Sequence, residues 1–174
     1  MMSKKQKTPT IALVGLENAG KTSFLKRLHT GKFTTVIPTY GMNADVIQLS
    51  DGQWLNVFDI GGQAAFRELL WQSYVSQAQG VIFILDSAEP TTFREANRWF
   101  WKVSNWASQG CPILFLANKS DLEHRVSLKE IEQRFALNAF ENTIEKPMKS
   151  FKTSIVTGEG LEEAMNWLVN RIFS

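Results

Sequence analysis

Apolar positions along the chain fall into short continuous runs and into longer stretches with helical spacing. Six runs rich in β-branched and aromatic residues predict strands. These strands are Thr10–Val14, Ala44–Leu49, Trp54–Asp59, Val81–Asp86, Ile113–Asn118 and Ser150–Ile155. The pair Asp51 and Gly52 predicts a hairpin turn between the second and third strands. Helical stretches separate the other strands, so crossover connections and a mostly parallel sheet are expected.

Two of the helical stretches have a clear apolar face. The first face consists of Phe93, Ala96, Phe100, Val103 and Ala107, and the second of Leu161, Ala164, Met165, Leu168 and Ile172. Ser127 and Glu130 form a capping box that predicts the start of another helix. The pattern predicts an α/β fold with a doubly wound, mostly parallel six-stranded sheet and one antiparallel edge strand from the hairpin. Ligands of such sheets bind beyond the carboxyl ends of the strands.

The first strand and first helix are joined by a glycine-rich loop that suits phosphate binding. Its residues are Gly15, Leu16, Glu17, Asn18, Ala19, Gly20, Lys21 and Thr22, followed by Ser23. They fit the pattern G-x-x-x-x-G-K-[ST], which predicts a P-loop NTPase. Gly20 allows close backbone approach, Lys21 supplies a charge for the phosphates, and Thr22 offers a hydroxyl to Mg²⁺. The alternative is a strand–turn–helix junction that matches the pattern by chance.

The segment from Asn118 to Asp121 follows a strand and suggests which base is bound. The Asp121 carboxylate can accept hydrogen bonds from N1–H and the exocyclic amine of guanine, whereas adenine offers it a lone pair at N1. Asn118 can bond the base from another edge, and the alkyl stem of Lys119 can cover it. As a bare pattern, N-K-x-D also fits a surface turn. Its position after both a phosphate loop and an apolar strand favours guanine recognition.

Asp59-Ile60-Gly61-Gly62-Gln63 follows another predicted strand. Asp59 is expected to hold Mg²⁺ through water, because this ion retains much of its hydration shell. Gly62 can offer its amide to a terminal phosphate, and Gln63 can orient an attacking water. The alternative is a strand that ends in a glycine turn.

Two weaker signals complete the candidate site. Thr39 follows Pro38 and is a candidate second hydroxyl ligand of Mg²⁺. Ser154 and Ile155 precede the last helix and would place backbone amides against the base. Taken alone, this second segment is a loop before a helix.

Taken together and in this order, the motifs resemble the Arf/Arl/Sar branch of the small Ras-like GTPases. The matching segments are G-L-E-N-A-G-K-T, I-P-T-Y-G-M-N, D-I-G-G-Q, N-K-S-D and T-G-E-G-L, and the resemblance runs from Ile11 to Phe173. It implies a guanine-nucleotide switch with mobile segments near residues 32–43 and 61–74. It also implies that the hairpin of residues 44–59 can slide in register when GTP binds.

The resemblance further implies an effector surface at Met42, Phe58 and Tyr74, with Phe58 where Arf proteins have tryptophan. The chain between Gln63 and Tyr74 is one residue longer than the Arf pattern. No arginine is obviously placed to act on the terminal phosphate. Arg67 lies in the longer segment, which is expected to be mobile, and we interpret it as an effector-face residue.

The N-terminus differs from that of the Arf relatives, which usually begin with an amphipathic, often myristoylated helix. Residues 1–8 are predicted to be a basic, polar, solvated tail, and residues 9–174 the GTPase domain. Met2 stands where myristoylation needs glycine, and the C-terminus has no cysteine to prenylate. Lys4, Lys5 and Lys7 allow at most weak contact with an anionic membrane.

Composition limits the remaining classes of function. The formal net charge of 174 residues is only +2, so no nucleic-acid partner is predicted. The single cysteine, Cys111, cannot form an internal disulfide, which favours a reducing compartment. No apolar run spans a bilayer and no signal peptide is recognisable. We expect a cytoplasmic monomer whose membrane contact, if any, comes through partners.

Trp99, Trp101 and Trp106 lie on the helix around residues 93–107. Helical spacing places Trp99 and Trp106 beside the core face, half-buried, and Trp101 well away from it. Packing against a neighbouring helix or loop is the favoured interpretation of Trp101, and an exposed anchor for a partner is the alternative.

The sequence thus predicts a molecular switch that binds GTP or GDP with Mg²⁺ and hydrolyses GTP slowly, with roles in membrane traffic or membrane-associated regulation like its relatives. An exchange factor, a GTPase-activating protein and effectors are the expected partners. Thr22, Thr39 and Asp59 would hold Mg²⁺, and Gln63 would be catalytic. The alternatives are a GTP-holding scaffold without turnover and a P-loop kinase or ATPase, against which the segment Asn118–Asp121 argues.

Overall fold

The computed structural model describes residues 7–31, 39–139 and 146–174. Its strands are β1 (Thr10–Val14), β2 (Met42–Gln48), β3 (Trp54–Ile60), β4 (Gly80–Asp86), β5 (Ile113–Asn118) and β6 (Met148–Lys152). Its helices include α1 (Lys21–Thr30), α2 (Ala64–Phe66), α3 (Gln72–Val75), α4 (Phe93–Trp106), α5 (Leu128–Arg134) and α6 (Leu161–Ile172). A π-helical turn, Arg67–Trp71, joins α2 to α3, and a 3₁₀ turn, Pro90–Thr92, precedes α4.

The six strands form one sheet in the order β2-β3-β1-β4-β5-β6. Strand β2 pairs antiparallel with β3 at the edge, and the other pairings are parallel. The predicted fold class, a doubly wound P-loop NTPase sheet with an antiparallel hairpin strand, is confirmed.

Two of the predicted strands were placed wrongly. Strand β2 begins at Met42 and ends at Gln48, because its antiparallel register pairs these residues with Ile60 and Trp54, while Leu49 enters the turn. Strand β6 covers Met148–Lys152 instead of residues 150–155. The strand ends at Lys152 because the next two residues bond to the loop that follows β5. The Thr153 carbonyl accepts from the Ser120 N–H at 3.0 Å, and the Ser154 hydroxyl donates to Asp121.

The hydrophobic core lies on both faces of the sheet. Along β1, Ile11 and Leu13 pack on the face covered by α1 and α6, while Ala12 and Val14 pack on the opposite face. On that second face, the rings of Phe83, Phe100, Phe115 and Phe135 pack together. This double burial explains why the central strands are continuously apolar.

Helix capping agrees with the sequence at α5, where the Ser127 hydroxyl accepts a hydrogen bond from the Glu130 N–H at 3.2 Å. Within the described residues, none of the helices has the length and apolarity needed to cross a membrane.

Candidate functional site

The loop between β1 and α1 wraps around the amino group of Lys21. Its Nζ donates to the carbonyls of Gly15 at 2.8 Å and Leu16 at 2.9 Å. Gly20 caps α1 with a left-handed φ of 109°, a backbone conformation that favours glycine. Burial lowers the pKa of Lys21 to about 8, while the nearby Asp59 carboxylate acts in the opposite direction. The loop therefore holds a desolvated amine against its own backbone.

Three oxygen-bearing side chains from different segments converge beside this loop. The hydroxyls of Thr22 and Thr39 donate to Asp59 Oδ2 at 2.6 and 2.8 Å, and the two hydroxyl oxygens are 2.6 Å apart. Asp59 is 1% exposed, and its Oδ1 has no partner among the described residues. A buried carboxylate oxygen without a partner is costly, so this set of hard oxygen donors fits Mg²⁺.

The end of β3 leads into a glycine pair that lies against the phosphate loop. A Cβ on Gly62 would lie 2.5 Å from the backbone N of Glu17 and the backbone carbon of Leu16, so only glycine fits. Next in the chain, Gln63 Nε2 donates to the Thr39 carbonyl at 2.9 Å. Its Oε1 is buried and has no partner among the residues described. Like Asp59 Oδ1, it is a buried acceptor to which none of the described residues donates.

The side chains after β5 connect several loops. Asn118 Nδ2 donates to the Ala19 carbonyl at 2.9 Å, and its Oδ1 accepts from the Ile155 N–H at 3.1 Å. Lys119 Nζ donates to Asp86 Oδ2 at 2.5 Å. Asn118 therefore joins the phosphate loop to the loop after β6. This role adds to the base contact that the sequence predicts for Asn118.

Asp121 lies opposite the loop that follows β6. Its Oδ1 accepts a hydrogen bond from the Ser154 hydroxyl at 2.7 Å. The same loop is tied to α1, because Arg27 Nη1 donates to the carbonyls of Ile155 at 2.7 Å and Val156 at 3.0 Å. Arg27 lies outside every motif in the sequence, so its role in holding this loop appears only in the structure.

Glu159 holds the far end of this loop. It accepts hydrogen bonds from Lys152 at 2.7 Å and from the Ser120 hydroxyl at 2.5 Å. These bonds, that from Lys152 above all, hold the pKa of Glu159 below its ordinary value. Both polar loops are therefore braced before any ligand arrives.

These segments enclose a cavity of about 630 Å³, a size usual for small-molecule sites. Predicted site residues that line it are Glu17, Asn18, Gly20, Lys21, Thr22, Ser23, Thr39, Gly62, Gln63, Asn118, Lys119, Asp121 and Ile155. Behind the lining and bonded to it are Gly15, Leu16, Ala19, Asp59 and Ser154. Gly61, Leu122 and Val156 also line the cavity; they are not among the predicted site residues, although each adjoins one.

Arg67 does not lie on an exposed effector face, so that expectation is wrong. It is 5% exposed, and its Nε donates to the Gly62 carbonyl at 2.8 Å. Its Nη1 pairs with Glu95 of α4. A charge this deeply buried needs fixed partners, and α4 and the glycine pair provide them.

The tryptophans of α4 also differ from expectation. Trp99 is buried, not half-buried, because it packs edge-on against Trp71 with ring centres 5.6 Å apart. Lys102 and Arg67 lie over its ring. Trp101 is half-buried against the core and meets the ring of Phe100 at 6.4 Å. Packing, the favoured interpretation of Trp101, describes this placement.

Comparison with known proteins places the chain in a family. Residues 1–172 match the ADP-ribosylation factor family. ADP-ribosylation factor-like protein 4C from Homo sapiens is 35% identical over 170 residues, which cover 93% of this chain and 85% of that protein. The chain belongs to the ADP-ribosylation factor family of small GTPases.

Other relatives agree. ADP-ribosylation factor-like protein 1 from Drosophila melanogaster is 33% identical, covering 94% of this chain and 89% of that protein. Among solved structures, the Arl6 BBS3 small GTPase from Trypanosoma brucei with bound nucleotide analogue GppNp is similar in fold, with a TM-score of 0.83, 24% identity and coverage of 95% of this chain and 98% of that one.

The three positions that the family resemblance assigns to effectors lie together. Met42, Phe58 and Tyr74 are half-buried against the core, and the rings of Phe58 and Tyr74 meet edge-to-face at 4.7 Å. Nearby, Tyr40 is 83% exposed and contacts Phe66. The structure therefore has an aromatic surface beside the candidate site. Residues 32–38, part of the first segment expected to be mobile, lie outside the described residues, as do residues 1–6 of the expected tail.

The extra residue in the second expected mobile segment coincides with the π-helical turn Arg67–Trp71. A π turn contains one more residue than an α turn, so it can absorb an insertion without changing either flank. In this turn Arg67 and Trp71 point inward, whereas Leu69 is 77% exposed.

Proposed function

We propose that this member of the ADP-ribosylation factor family binds GTP and GDP with Mg²⁺ in the 630 Å³ cavity and hydrolyses GTP slowly. The observation that carries the proposal is the convergence on one cavity of a buried lysine, a hydroxyl–carboxylate cluster and the Asp121 carboxylate. These groups come from separate loops of the sheet. Together they match the phosphates, the metal and the base of one ligand.

The phosphate end is formed by the loop from Gly15 to Ser23. Its amides and the N-terminus of α1 attract negative charge, and a phosphate would replace the carbonyls that now accept from Lys21. Thr22, Thr39 and Asp59 would hold Mg²⁺, which neutralises charge on the phosphate oxygens when bound. The partnerless Asp59 Oδ1 supports this assignment.

The base end is formed by Asn118, Lys119, Asp121, Ser154 and Ile155. Asp121 is exposed to solvent and lines the cavity. Its carboxylate oxygen that does not bind Ser154 can therefore accept a hydrogen bond from guanine. Lys119 lines the cavity while its Nζ is held by Asp86, so its alkyl stem would be the part that covers the base. Adenine would leave the Asp121 carboxylate without a donor, which favours guanine over adenine.

Hydrolysis requires a positioned water and little covalent chemistry from the protein. Gln63 is the proposed positioning side chain, because its Nε2 is anchored on Thr39 while its Oε1 receives no hydrogen bond from the described residues. Such an arrangement couples water placement to the presence of Thr39 in the site. Slow turnover without an activating protein is the expected consequence, since Arg67 is committed to Gly62 and Glu95.

The chain from residue 9 to 174 is proposed to act as one GTPase domain preceded by a polar tail. It would work as a monomeric switch, with an exchange factor, an activating protein and effectors meeting the surface around Met42, Phe58 and Tyr74. Contact with membranes is proposed to be weak and limited to anionic lipid, and a role in membrane-associated regulation is inferred from the family.

The experiment is a comparison of nucleotide binding and single-turnover hydrolysis by the purified protein. Fluorescent GTP and ATP analogues are titrated with and without Mg²⁺, and then bound GTP is followed to GDP and phosphate. The proposal expects tight, Mg²⁺-dependent guanine binding and slow release of phosphate. Tight binding without turnover would favour a scaffold, and equal binding of ATP would contradict the assignment of Asp121.

A further inference from the structure

The first and last residues of the π-helical turn each bind one carbonyl of the glycine pair. Trp71 Nε1 donates to the Gly61 carbonyl at 3.0 Å, and Arg67 Nε donates to the Gly62 carbonyl at 2.8 Å. Two consecutive peptide groups are therefore held by two side chains from the same turn. Both donors are buried, so solvent does not compete for these carbonyls.

Holding a carbonyl also fixes the direction of the amide in the same peptide group. Described peptide bonds include no cis bond, and in a trans peptide the C=O and N–H point in opposite directions. With the Gly61 carbonyl turned toward Trp71 in the core, the Gly62 N–H is turned away from the core, toward the cavity that both glycines line. Among the described residues, this buried N–H has no hydrogen-bond acceptor.

The glycine pair is also fixed from the other side. Gly62 abuts the phosphate loop so closely that a Cβ would lie 2.7 Å from the Gly15 carbonyl oxygen. The Gly61 N–H donates to the Gly41 carbonyl at 2.6 Å. The pair thus lies between the phosphate loop and the two donors, and of its two N–H groups only that of Gly62 has no acceptor among the described residues.

The two donors are anchored on α4 and not only on their own segment. Arg67 pairs with Glu95 and lies 5.7 Å from the centre of the Trp99 ring. Trp71 is fully buried and packs against the same ring at 5.6 Å. Because α4 is a 14-residue helix packed on the sheet, it gives the donors a rigid base.

We propose that Trp71 and Arg67 are positioning residues: Trp71 aims the Gly62 N–H at the terminal phosphate, Arg67 holds the next peptide group so that Gly62 stays in place, and together they set the preference for nucleoside triphosphate over diphosphate. This rests on the proposed function, because it assumes that a nucleotide occupies the cavity. A diphosphate has no group at that position and gains nothing from the aimed amide. By linkage, binding of the triphosphate stabilises the contacts between the π turn and α4.

The test compares affinities for GDP and for a non-hydrolysable GTP analogue in the presence of Mg²⁺. Trp71→Phe removes the indole donor and keeps an aromatic ring, and Arg67→Met removes the guanidinium and keeps the stem. Each is expected to weaken binding of the analogue about tenfold and to change GDP binding less than twofold, as for one lost hydrogen bond. Glu95→Gln should act in the same direction, more weakly.

Arg134→Met is the matched control, because Arg134 lies over the Phe93 ring of the same helix α4 but, within the described residues, contacts neither the π turn nor the glycine pair. Equal losses for both nucleotides, or no loss for either, would overturn the positioning role. If Trp71→Phe does not fold, Arg67→Met and Glu95→Gln are used instead. A selective loss of affinity for the GTP analogue in these two variants supports the positioning role, and an unchanged ratio of the two affinities overturns it. Failure of the wild-type protein to bind guanine nucleotides overturns the proposed function itself, whereas wild-type binding with an unchanged ratio in the variants overturns only this inference.

Discussion

Polar side chains of the candidate site have partners within the protein at the points where a nucleotide would bind. Lys21 is bound to two carbonyls, and the hydroxyls of Thr22 and Thr39 are bound to Asp59. These bonds keep the side chains near their expected ligands before binding, which lowers the entropy lost on binding. The cost is that a ligand must replace them with better partners.

Replacing Asp121 by alanine tests the base contact. Asp121→Ala is expected to weaken guanine-nucleotide binding by about 2–4 kcal/mol and to remove most of the preference over adenine, because donors on a buried base would lose a charged acceptor. Competition between GDP and ADP for a fluorescent nucleotide measures both effects. Glu123→Ala, an exposed carboxylate two residues away, should change neither. Retained guanine selectivity in Asp121→Ala would mean that other groups recognise the base.

Gln63 tests the chemistry separately from binding. Gln63→Leu is expected to slow single-turnover hydrolysis about tenfold or more, with nearly unchanged nucleotide affinity, since it removes a group that orients water. Its hydrogen bond to Thr39 is lost as well, so Mg²⁺ dependence should be measured in parallel. Gln72→Leu, an exposed glutamine in α3, is the control. Equal turnover of Gln63→Leu and the wild-type protein would show that another group positions the water.

At the scale of elements, each loop of the site is fixed by the strand or helix that precedes or follows it. The loop that begins at Gly15 lies between β1 and α1, and the segment Asn118–Asp121 begins at the end of β5. The π turn illustrates how an element accepts an extra residue, since its two ends keep their contacts while Leu69 in the middle is displaced outward. An element that neither lines the cavity nor supports a residue bonded to it is expected to contribute to stability alone.

Helix α5 provides a test of that separation. Ser127→Ala is expected to lower the free energy of unfolding by about 1 kcal/mol, because the Glu130 N–H loses its acceptor. Nucleotide affinity should not change, since Ser127 does not line the cavity. Chemical denaturation measures the first quantity and nucleotide titration the second. Ser127→Asp restores an acceptor and should recover most of the stability, and equal loss in both variants would contradict the capping role.

At the scale of the whole molecule, the two faces of the sheet have different roles. The face covered by α1 and α6 is joined to the loops of the base end through Arg27, and the face covered by α4 supports the glycine pair through Arg67 and Trp71. A bound nucleotide would therefore contact loops supported by both cores. Binding should stabilise the domain as a unit.

Cys111 provides a measurement of this linkage, because it is the only cysteine and it is buried. Burial raises the pKa of its thiol to about 11, so at pH 8 the folded protein holds it protonated and unreactive. Iodoacetamide should react slowly in the native protein and rapidly in denaturant. If labelling requires global unfolding, GDP at 100 times its dissociation constant should slow it about 100-fold. Native labelling at the rate of a free thiol would contradict the burial of Cys111.

The sequence by itself determined the parts of this protein that depend on local pattern. Apolar runs located β1 and β5 at their observed bounds, because a strand buried on both faces is continuously apolar. Ser127 located the start of α5, since its cap is made within three residues. The motif residues around Lys21, Gln63 and Asp121 could be listed because each motif is contiguous. The alternation of strands and helices predicted a mostly parallel sheet, and this in turn implied that the phosphate loop lies beyond the carboxyl ends of its strands.

Only the tertiary structure decided what depends on partners distant in sequence. The register against β3 set the bounds of β2, and the bonds of Asn118 to the phosphate loop and to Ile155 gave that side chain its bracing role. From the sequence alone Arg67 is expected to be a surface residue, because its partner Glu95 lies 28 positions later in the chain. Its burial and the direction of the Gly62 amide follow from packing between the π turn and α4. No local pattern in the sequence encodes that contact.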